Sequence, residues 1–179
     1  MEPRIRPMRK EDSRPCAAMA CASAIGKRYG FEPEALAATL ESALERGGEL
    51  FVAEAGGRIA GFAWIDPRGA FSSAPYLRLI AVDESLRGSG IGAALMDEFE
   101  ARTASVGRDW CLLVSDFNLK AQAFYERRGY RKAGSLPGFA RPDIAEILMV
   151  KKRPAAAAGR AEDESRGVSP SEAASGDAR

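Results

Sequence analysis

The run Arg87-Gly88-Ser89-Gly90-Ile91-Gly92-Ala93 constrains this chain more than any other stretch. It follows an apolar, strand-like segment, Tyr76 to Val82, and opens a helical pattern running to about Ser105, in which Ile91, Leu95 and Phe99 share a face. Glycines at 88, 90 and 92 let the backbone turn tightly and admit a ligand to main-chain atoms with no side chain in the way. A helix starting after such a turn offers unpaired N–H groups and the positive end of its dipole. Arg87 adds a fixed positive charge. Strand, glycine turn and helix start together suit a phosphate or pyrophosphate.

The same residues, read as Gly88-x-Gly90-x-x-Ala93, satisfy a relaxed dinucleotide-binding pattern, with Asp116 as the acidic residue after the next strand. Two features count against that reading. Asp83 to Arg87 separate the strand from the first glycine, where the dinucleotide turn is tight, and the motif lies mid-chain instead of at the first strand–helix turn. A P-loop is excluded, because no Gly-Lys-Ser/Thr follows the glycines.

A second constellation follows: Leu112-Leu113-Val114-Ser115-Asp116-Phe117-Asn118, then Ala121, Phe124-Tyr125 and Gly129-Tyr130. With the glycine run, it resembles the GNAT family of acyl-CoA-dependent N-acyltransferases. Arg87-Gly88-Ser89-Gly90-Ile91-Gly92 matches the family's Arg-x-x-Gly-x-Gly signature. Leu79 to Asp83 is similar to the strand that lies along the pantetheine arm, and the second segment to the family's strand–Asn–helix–Tyr unit. The resemblance spans about residues 4 to 152 and is densest from 76 to 132. It implies an α/β fold with a mixed, mostly antiparallel central sheet flanked by helices. It also implies an acetyl-CoA co-substrate without a metal, and transfer of the acetyl group to a primary amine by direct attack in a ternary complex.

The remaining composition narrows the chemistry. The 179 residues carry a formal net charge of +1 and no histidine. That charge provides no bulk drive toward nucleic acid or an anionic membrane. Without histidine there is no Ser-His-Asp triad, no histidine base and no histidine metal ligand. Cys16, Cys21 and Cys111 lack CxxC spacing and read as reduced, buried thiols of a cytoplasmic protein. No apolar run reaches the ~18 residues of a membrane span. A homodimer is the expected oligomer if there is one.

Along the chain, Ile5 to Met8 reads as a strand and Ser13 as the N-cap of a helix ending near Ser23. Gly26, Gly30 and Pro33 break the pattern before a second helix, whose Leu36, Leu40 and Leu44 form one stripe. Leu50–Glu54 and Arg58–Ile65 form a hairpin around Ala55-Gly56-Gly57, and Asp66 to Ala74 is expected to be a loop. Trp110–Ser115 reads as a strand buried on both faces, Asn118 as the N-cap of a helix reaching Arg128, and Gly129 as its C′ residue. Tyr130–Ala133 is short and extended, Leu136–Pro142 a loop, and Ile144–Lys152 the last strand. Residues 1–153 thus form the acyltransferase-like domain. Residues 154–179, rich in alanine, serine, glycine and charge and free of aromatics, read as a disordered tail.

Acyl transfer from a thioester needs a held donor, hydrogen-bond donors for the oxyanion, and a proton for the departing thiolate. The resemblance assigns the pyrophosphate to backbone groups of Gly88, Ser89, Gly90, Ile91 and Gly92 with Arg87. It assigns the pantetheine arm to main-chain groups of Ile80 and Val82, where the strands holding Val82 and Val114 part. The N–H of Ala81 or Val82 is the candidate oxyanion donor. Tyr125 is the implied general acid, and Asn118 a helix cap that also contacts the donor arm. The base stays open among Glu49 and Glu54; Tyr76, Arg78, Phe139, Arg141 and Asp143 are candidate acceptor-side residues. A non-catalytic acyl-CoA-binding module is the alternative, and it gives no reason for a phenol near the sulfur. A nucleotide-dependent oxidoreductase is a third reading.

Overall fold

The computed structural model describes residues 3–153, and the tail expected over 154–179 lies outside the described residues. Its strands are β1 (Arg4–Pro7), β2 (Glu49–Ala55), β3 (Arg58–Ala70), β4 (Ala74–Val82), β5 (Trp110–Ser115), β6 (Arg131–Pro137) and β7 (Ala145–Lys151). They form one sheet in the order β1-β2-β3-β4-β5-β7-β6. Every neighbouring pair is antiparallel except β4–β5, which is parallel. The helices among the described residues are α1 (Ser13–Ala22), α2 (Ala24–Tyr29), α3 (Pro33–Glu45), α4 (Ile91–Arg102) and α5 (Leu119–Arg127). This is the mixed, mostly antiparallel α/β architecture that the sequence implied.

Strand alternation divides the core in two. Ala63, Ile65, Leu112, Val114 and Ile147 face α4 and α5, meeting Ile91, Leu95, Phe99 and Tyr125. Leu50, Val52 and Phe62 face the other way, against Cys16, Ala17 and Ala20 of α1 and Ala37 and Leu40 of α3. The Leu36–Leu40–Leu44 stripe lies in this second layer. Gly56 and Gly57, both at positive φ, close the β2–β3 hairpin as a two-residue turn.

Several local expectations are corrected. Helix α4 begins at Ile91, not Arg87, because Gly88 and Gly90 hold φ of +83° and +91°, which a right-handed helix cannot contain. Ser13 is the first helical residue, with Asp12 in the cap position before it. Residues 24–29 are helical: the Ser23 hydroxyl accepts the Gly26 N–H (3.0 Å). Gly26 is there for close packing, since a Cβ would lie 2.2 Å from the Ala20 carbonyl oxygen. The expected loop over Asp66–Ala74 is mostly strand; an irregular register between Asp66 and Ala70 accommodates Pro67 and Gly69, leaving only Phe71–Ser73 as the turn. Likewise β6 continues to Pro137, past the expected loop start at Leu136.

The start of the chain is held by one buried ion pair. Arg6 on β1 donates to both Asp12 carboxylate oxygens (2.6 and 3.0 Å) and to Glu54 on β2 (2.7 Å), while Asp12 also accepts the Arg9 N–H (2.7 Å). The Arg6 guanidinium, followed by the Arg9 amide, holds the Asp12 carboxyl below its ordinary value despite burial. A depressed carboxyl pKa stabilises the fold above the unfolded-state value near 3.9 and loses that stabilisation as pH falls through the folded-state value. Asp12→Asn is therefore expected to cost about 3 kcal/mol at neutral pH, the lower end for a broken buried pair because Arg6 keeps Glu54. The gap to wild type should narrow in urea melts as pH falls below about 4 and go on narrowing as the folded-state carboxyl is protonated. A pH-independent gap would show that the cost is packing and not charge.

Candidate active site

The one parallel junction of the sheet does not stay closed. β4 and β5 pair at Tyr76–Cys111 and Leu77–Leu112, and no register joins them beyond that point. On its other side β4 pairs with β3 through Ile65–Leu77 and Trp64–Leu79, so Arg78 is an extra residue without a partner. A bulge increases local twist and bends its strand. Here it sits at the last closed rung and turns the end of β4 away from β5.

The parting frees particular backbone groups. The Asp83 N–H donates to the Ala60 carbonyl (2.9 Å), so Asp83 turns its amide toward β3. By alternation Ala81 does the same, and Ile80 and Val82 turn theirs into the gap. Of the two residues expected to supply an oxyanion donor, Val82 has its N–H on the open side and Ala81 does not.

Next to the gap lies the glycine turn. Asp83 accepts from the Ser85 N–H (2.9 Å) and hydroxyl (2.6 Å), stopping β4 and starting a single turn of 3₁₀ helix over Glu84–Leu86. The Ser89 N–H (3.3 Å) and hydroxyl (2.5 Å) both donate to the Leu86 carbonyl, so Ser89 shapes the loop with its own polar groups already engaged. The first bonded amide of α4 is Ala94, donating to Gly90 O (3.0 Å), which leaves the N–H groups of Ile91, Gly92 and Ala93 ahead of it. A Cβ on Gly88 or Gly90 would meet nothing within 4 Å, so space for a ligand is present there. Arg87 is half-exposed, 3.3 Å from Glu84, and able to swing to an anion.

On the α4–α5 face of the gap stands Tyr125. Asn118 caps α5 by accepting the Ala121 N–H (3.3 Å), and Gln122 donates to the carbonyls of Ser115 (3.0 Å) and Asp116 (2.9 Å), fixing the helix to the end of β5. Tyr125 is buried edge-on against Phe124 and Tyr130, in one cluster with Val114, while Ile80 and Val82 pack around it. Burial alone pushes its pKa above the ordinary phenol value of about 10, with no charge or hydrogen bond contributing. The phenol thus holds its proton at neutral pH.

The opposite face of the gap holds a group that sequence reasoning missed. Ser115 of β5 lies opposite Glu146 of β7, and both are buried. Tyr29, the last residue of α2, donates its phenol proton to Glu146 and lies 2.7 Å from the Ser115 hydroxyl. Burial, then Glu146, push the Tyr29 pKa up to about 12. The available signal was a lone carboxylate inside the apolar run Ile144–Val150. The late loop clasps the same helix: Arg141 donates to the Tyr29 carbonyl (2.7 Å), and Asp143 pairs with Arg28 (3.1 Å). Phe139 is exposed. Of the two candidate bases, Glu54 is engaged by Arg6, while Glu49 lines a cleft of about 380 Å³ with Trp64 and the candidate acceptor-side residue Arg78. Arg78 lies over the Trp64 ring at 4.7 Å, and Tyr76 is close enough to Glu146 to feel its charge.

Comparison with known proteins identifies the family. The acetyltransferase (GNAT) domain pattern matches residues 46–132. An uncharacterised N-acetyltransferase of Methanocaldococcus jannaschii is 33% identical over 108 residues, covering 59% of this chain and 67% of that protein. Blasticidin-S acetyltransferase of Streptomyces morookaense is 35% identical over 77 residues, 43% of this chain; the chain spans 56% of that protein's length. The crystal structure of an N-acetyltransferase from Staphylococcus aureus Mu50 superposes with a TM-score of 0.70 at 21% identity, over 85% of this chain and 99% of that one. The chain belongs to the GNAT family of acetyltransferases. No described helix is long and apolar enough to cross a membrane.

The glycine turn makes a local prediction. At Gly90 (φ +91°) any side chain is strained, whereas Gly92 is helical and a Cβ there would meet Phe124 and Val82 at ordinary distances of 3.6 and 3.7 Å. Gly90→Ala should cost about 1–2 kcal/mol in urea melts. Gly92→Ala should be neutral or stabilising, because alanine is the better helix former by about 1 kcal/mol. Equal costs would show that the turn relaxes around a side chain.

Proposed function

We propose that this protein transfers the acetyl group of acetyl-CoA to a primary amine by direct attack in a ternary complex, with Tyr125 as the general acid. The observation that carries this reading is the β4–β5 gap: Ile80 and Val82 turn unpaired main-chain groups into it, with the glycine turn at one end and a protonated phenol beside it. Backbone N–H groups at Gly88, Gly90, Ile91 and Gly92, with Arg87, hold the pyrophosphate, and the Ser89 bonds keep that turn in shape. Ile80 and Val82 extend the β4 edge to the pantetheine amides as an added strand would. Bound acetyl-CoA supplies an activated carbonyl on a thioester. The Val82 N–H donates to the oxygen that gains charge under attack, a role for fixed donors in a dry site.

Tyr125 then protonates the departing sulfur. An ordinary phenol is a weaker acid than an ordinary thiol, so the transfer depends on a shared environment. Burial in this protein raises thiols as it raises phenols: Cys16 is pushed up to about 12 by desolvation. A thiolate expelled into the apolar wall around Tyr125 becomes more basic for the same reason, and the two affinities for the proton draw together. Asn118 acts through the helix it caps and through contact with the donor arm. The acceptor named for the Streptomyces morookaense relative is a small molecule, which favours a small-molecule amine over a protein amine here.

Tyr125→Phe removes one oxygen and little volume. Calorimetric affinity for acetyl-CoA should stay within about twofold, because backbone groups provide the grip. Single-turnover transfer to an amine taken from a panel should slow by roughly 10²- to 10⁴-fold. Equal rates with chemistry rate-limiting would remove Tyr125 as the acid, and a wild type that binds acetyl-CoA but acetylates no amine would leave only a binding module.

A further inference from the structure

We propose that Glu146 receives the acceptor's ammonium group and takes its first proton, and that the acceptor is therefore a primary amine with no carboxylate on the carbon bearing the nitrogen. This rests on the acetyl-transfer reading above and deepens it. Glu146 and Asp12 are the buried carboxylates among the described residues, and they differ in one respect. Asp12 has Arg6 against it, whereas no lysine or arginine among the described residues pairs with Glu146. Its protein donor is the Tyr29 phenol, on Oε1. A buried carboxylate is expensive without a cation, so a site that keeps one uncompensated is completed by a positive ligand.

The position fits that role. Glu146 lies across from Ser115, three residues beyond the last closed β4–β5 rung at Leu112. Alternation along β7 puts it on the sheet face opposite Ile147, which packs with Tyr125 and α4. A donor held by the glycine turn at the start of α4 and by the gap presents its carbonyl toward the other face. An amine must approach from that face, beneath α2 and beside Glu146. Tyr29 orients the carboxylate and is itself held by Ser115, and the Arg141 and Asp143 contacts hold α2 in place. One buried carboxylate matches one ammonium and repels a second carboxylate two bonds from the nitrogen.

The protons balance. The ammonium gives one proton to Glu146 and attacks as the neutral amine, forming the C–N bond. Glu146 passes that first proton to water, and as the C–S bond breaks the nitrogen loses its second proton to Glu146, while Tyr125 delivers one to sulfur. Exchange of both residues with water restores them, so one proton is released per acetyl group transferred.

The test uses phenethylamine and phenylalanine, which differ only in that carboxylate, with acetyl-CoA and detection of free CoA thiol. Wild type should show kcat/KM for phenethylamine at least about tenfold above phenylalanine. Glu146→Gln should lower the phenethylamine value by about 100-fold or more and collapse the preference, with acetyl-CoA affinity by calorimetry unchanged. Unchanged phenethylamine kinetics in that variant overturn the proposal, as does a wild type that binds acetyl-CoA but prefers phenylalanine or acetylates neither. A wild type that does not bind acetyl-CoA overturns the acetyl-transfer reading first. Should Glu146→Gln not fold, calorimetry on the CoA-loaded wild type decides: phenethylamine should bind and phenylalanine should not, and the reverse order overturns the assignment.

Discussion

A parallel strand pair that closes for two rungs and then opens leaves two rows of backbone groups that the sheet does not satisfy. In this protein those rungs are Tyr76–Cys111 and Leu77–Leu112, and the extra residue Arg78 marks where the closure fails. Unpaired N–H and C=O groups inside a fold are costly unless something bonds to them. The remainder of the sheet makes the opening affordable: β4 is held along its other edge by β3 up to Val82, and β5 by β7 up to Ser115. Each strand at the gap is thus anchored on one side and free on the other. The walls of the gap cannot collapse onto each other without breaking those ladders.

The sheet then separates two kinds of chemistry. On the α4–α5 face are the helix N-terminus, the glycine turn and Tyr125, a set with free donors and a retained proton. On the α1–α3 face are Glu146, Tyr29 and Ser115, a set whose buried carboxylate has no lysine or arginine paired with it among the described residues. In the proposed reaction, proton donor and proton acceptor are kept apart by the sheet. Were they adjacent, the phenol would hydrogen-bond to the carboxylate, as Tyr29 does, and be unavailable to a leaving group. Tyr29 and Tyr125 thus have different surroundings, although both are phenols with raised pKa values: Tyr125 is buried, and Tyr29 is half-buried against Glu146.

Features encoded by neighbouring residues were legible in the sequence, and those that depend on distant contacts were not. The hairpin at Gly56-Gly57, the cap at Asn118 and the order of strand, glycine turn and helix follow from local backbone chemistry. The start of α4 was misplaced because Arg87 and Ser89 are acceptable helix residues, while the positive φ of Gly88 and Gly90 is set by the loop's return to the sheet. Helix α2 was missed because Gly26 reads as a breaker, when its missing Cβ is what lets the helix lie against the Ala20 carbonyl. With α2 unread, Tyr29 had no position, and with no position for Tyr29 the carboxylate in β7 had no visible role. Ser115 and Glu146 are neighbours only through the β5–β7 register, 31 residues apart in sequence and joined by no motif.

The absence of histidine shows why such buried phenols and carboxylates matter here. Histidine is the usual group that gains and loses a proton near neutral pH. A chain without it must move protons with residues whose ordinary pKa values lie mostly near 4 or 10, and burial is a means of shifting those values. Burial raises a carboxyl, a thiol and a phenol, and lowers an amine, so in a dry site the donor's leaving thiolate gains proton affinity while the acceptor's ammonium loses it. The sheet provides that dryness on both faces with the same apolar ladder: Val114 and Ile147 toward Tyr125, Cys111 and Leu148 on the side of Tyr76. The packing that stabilises the fold and the desolvation that raises the Tyr125 and Tyr29 pKa values are thus one feature of the structure, and a substitution that admits water to either face would weaken both together.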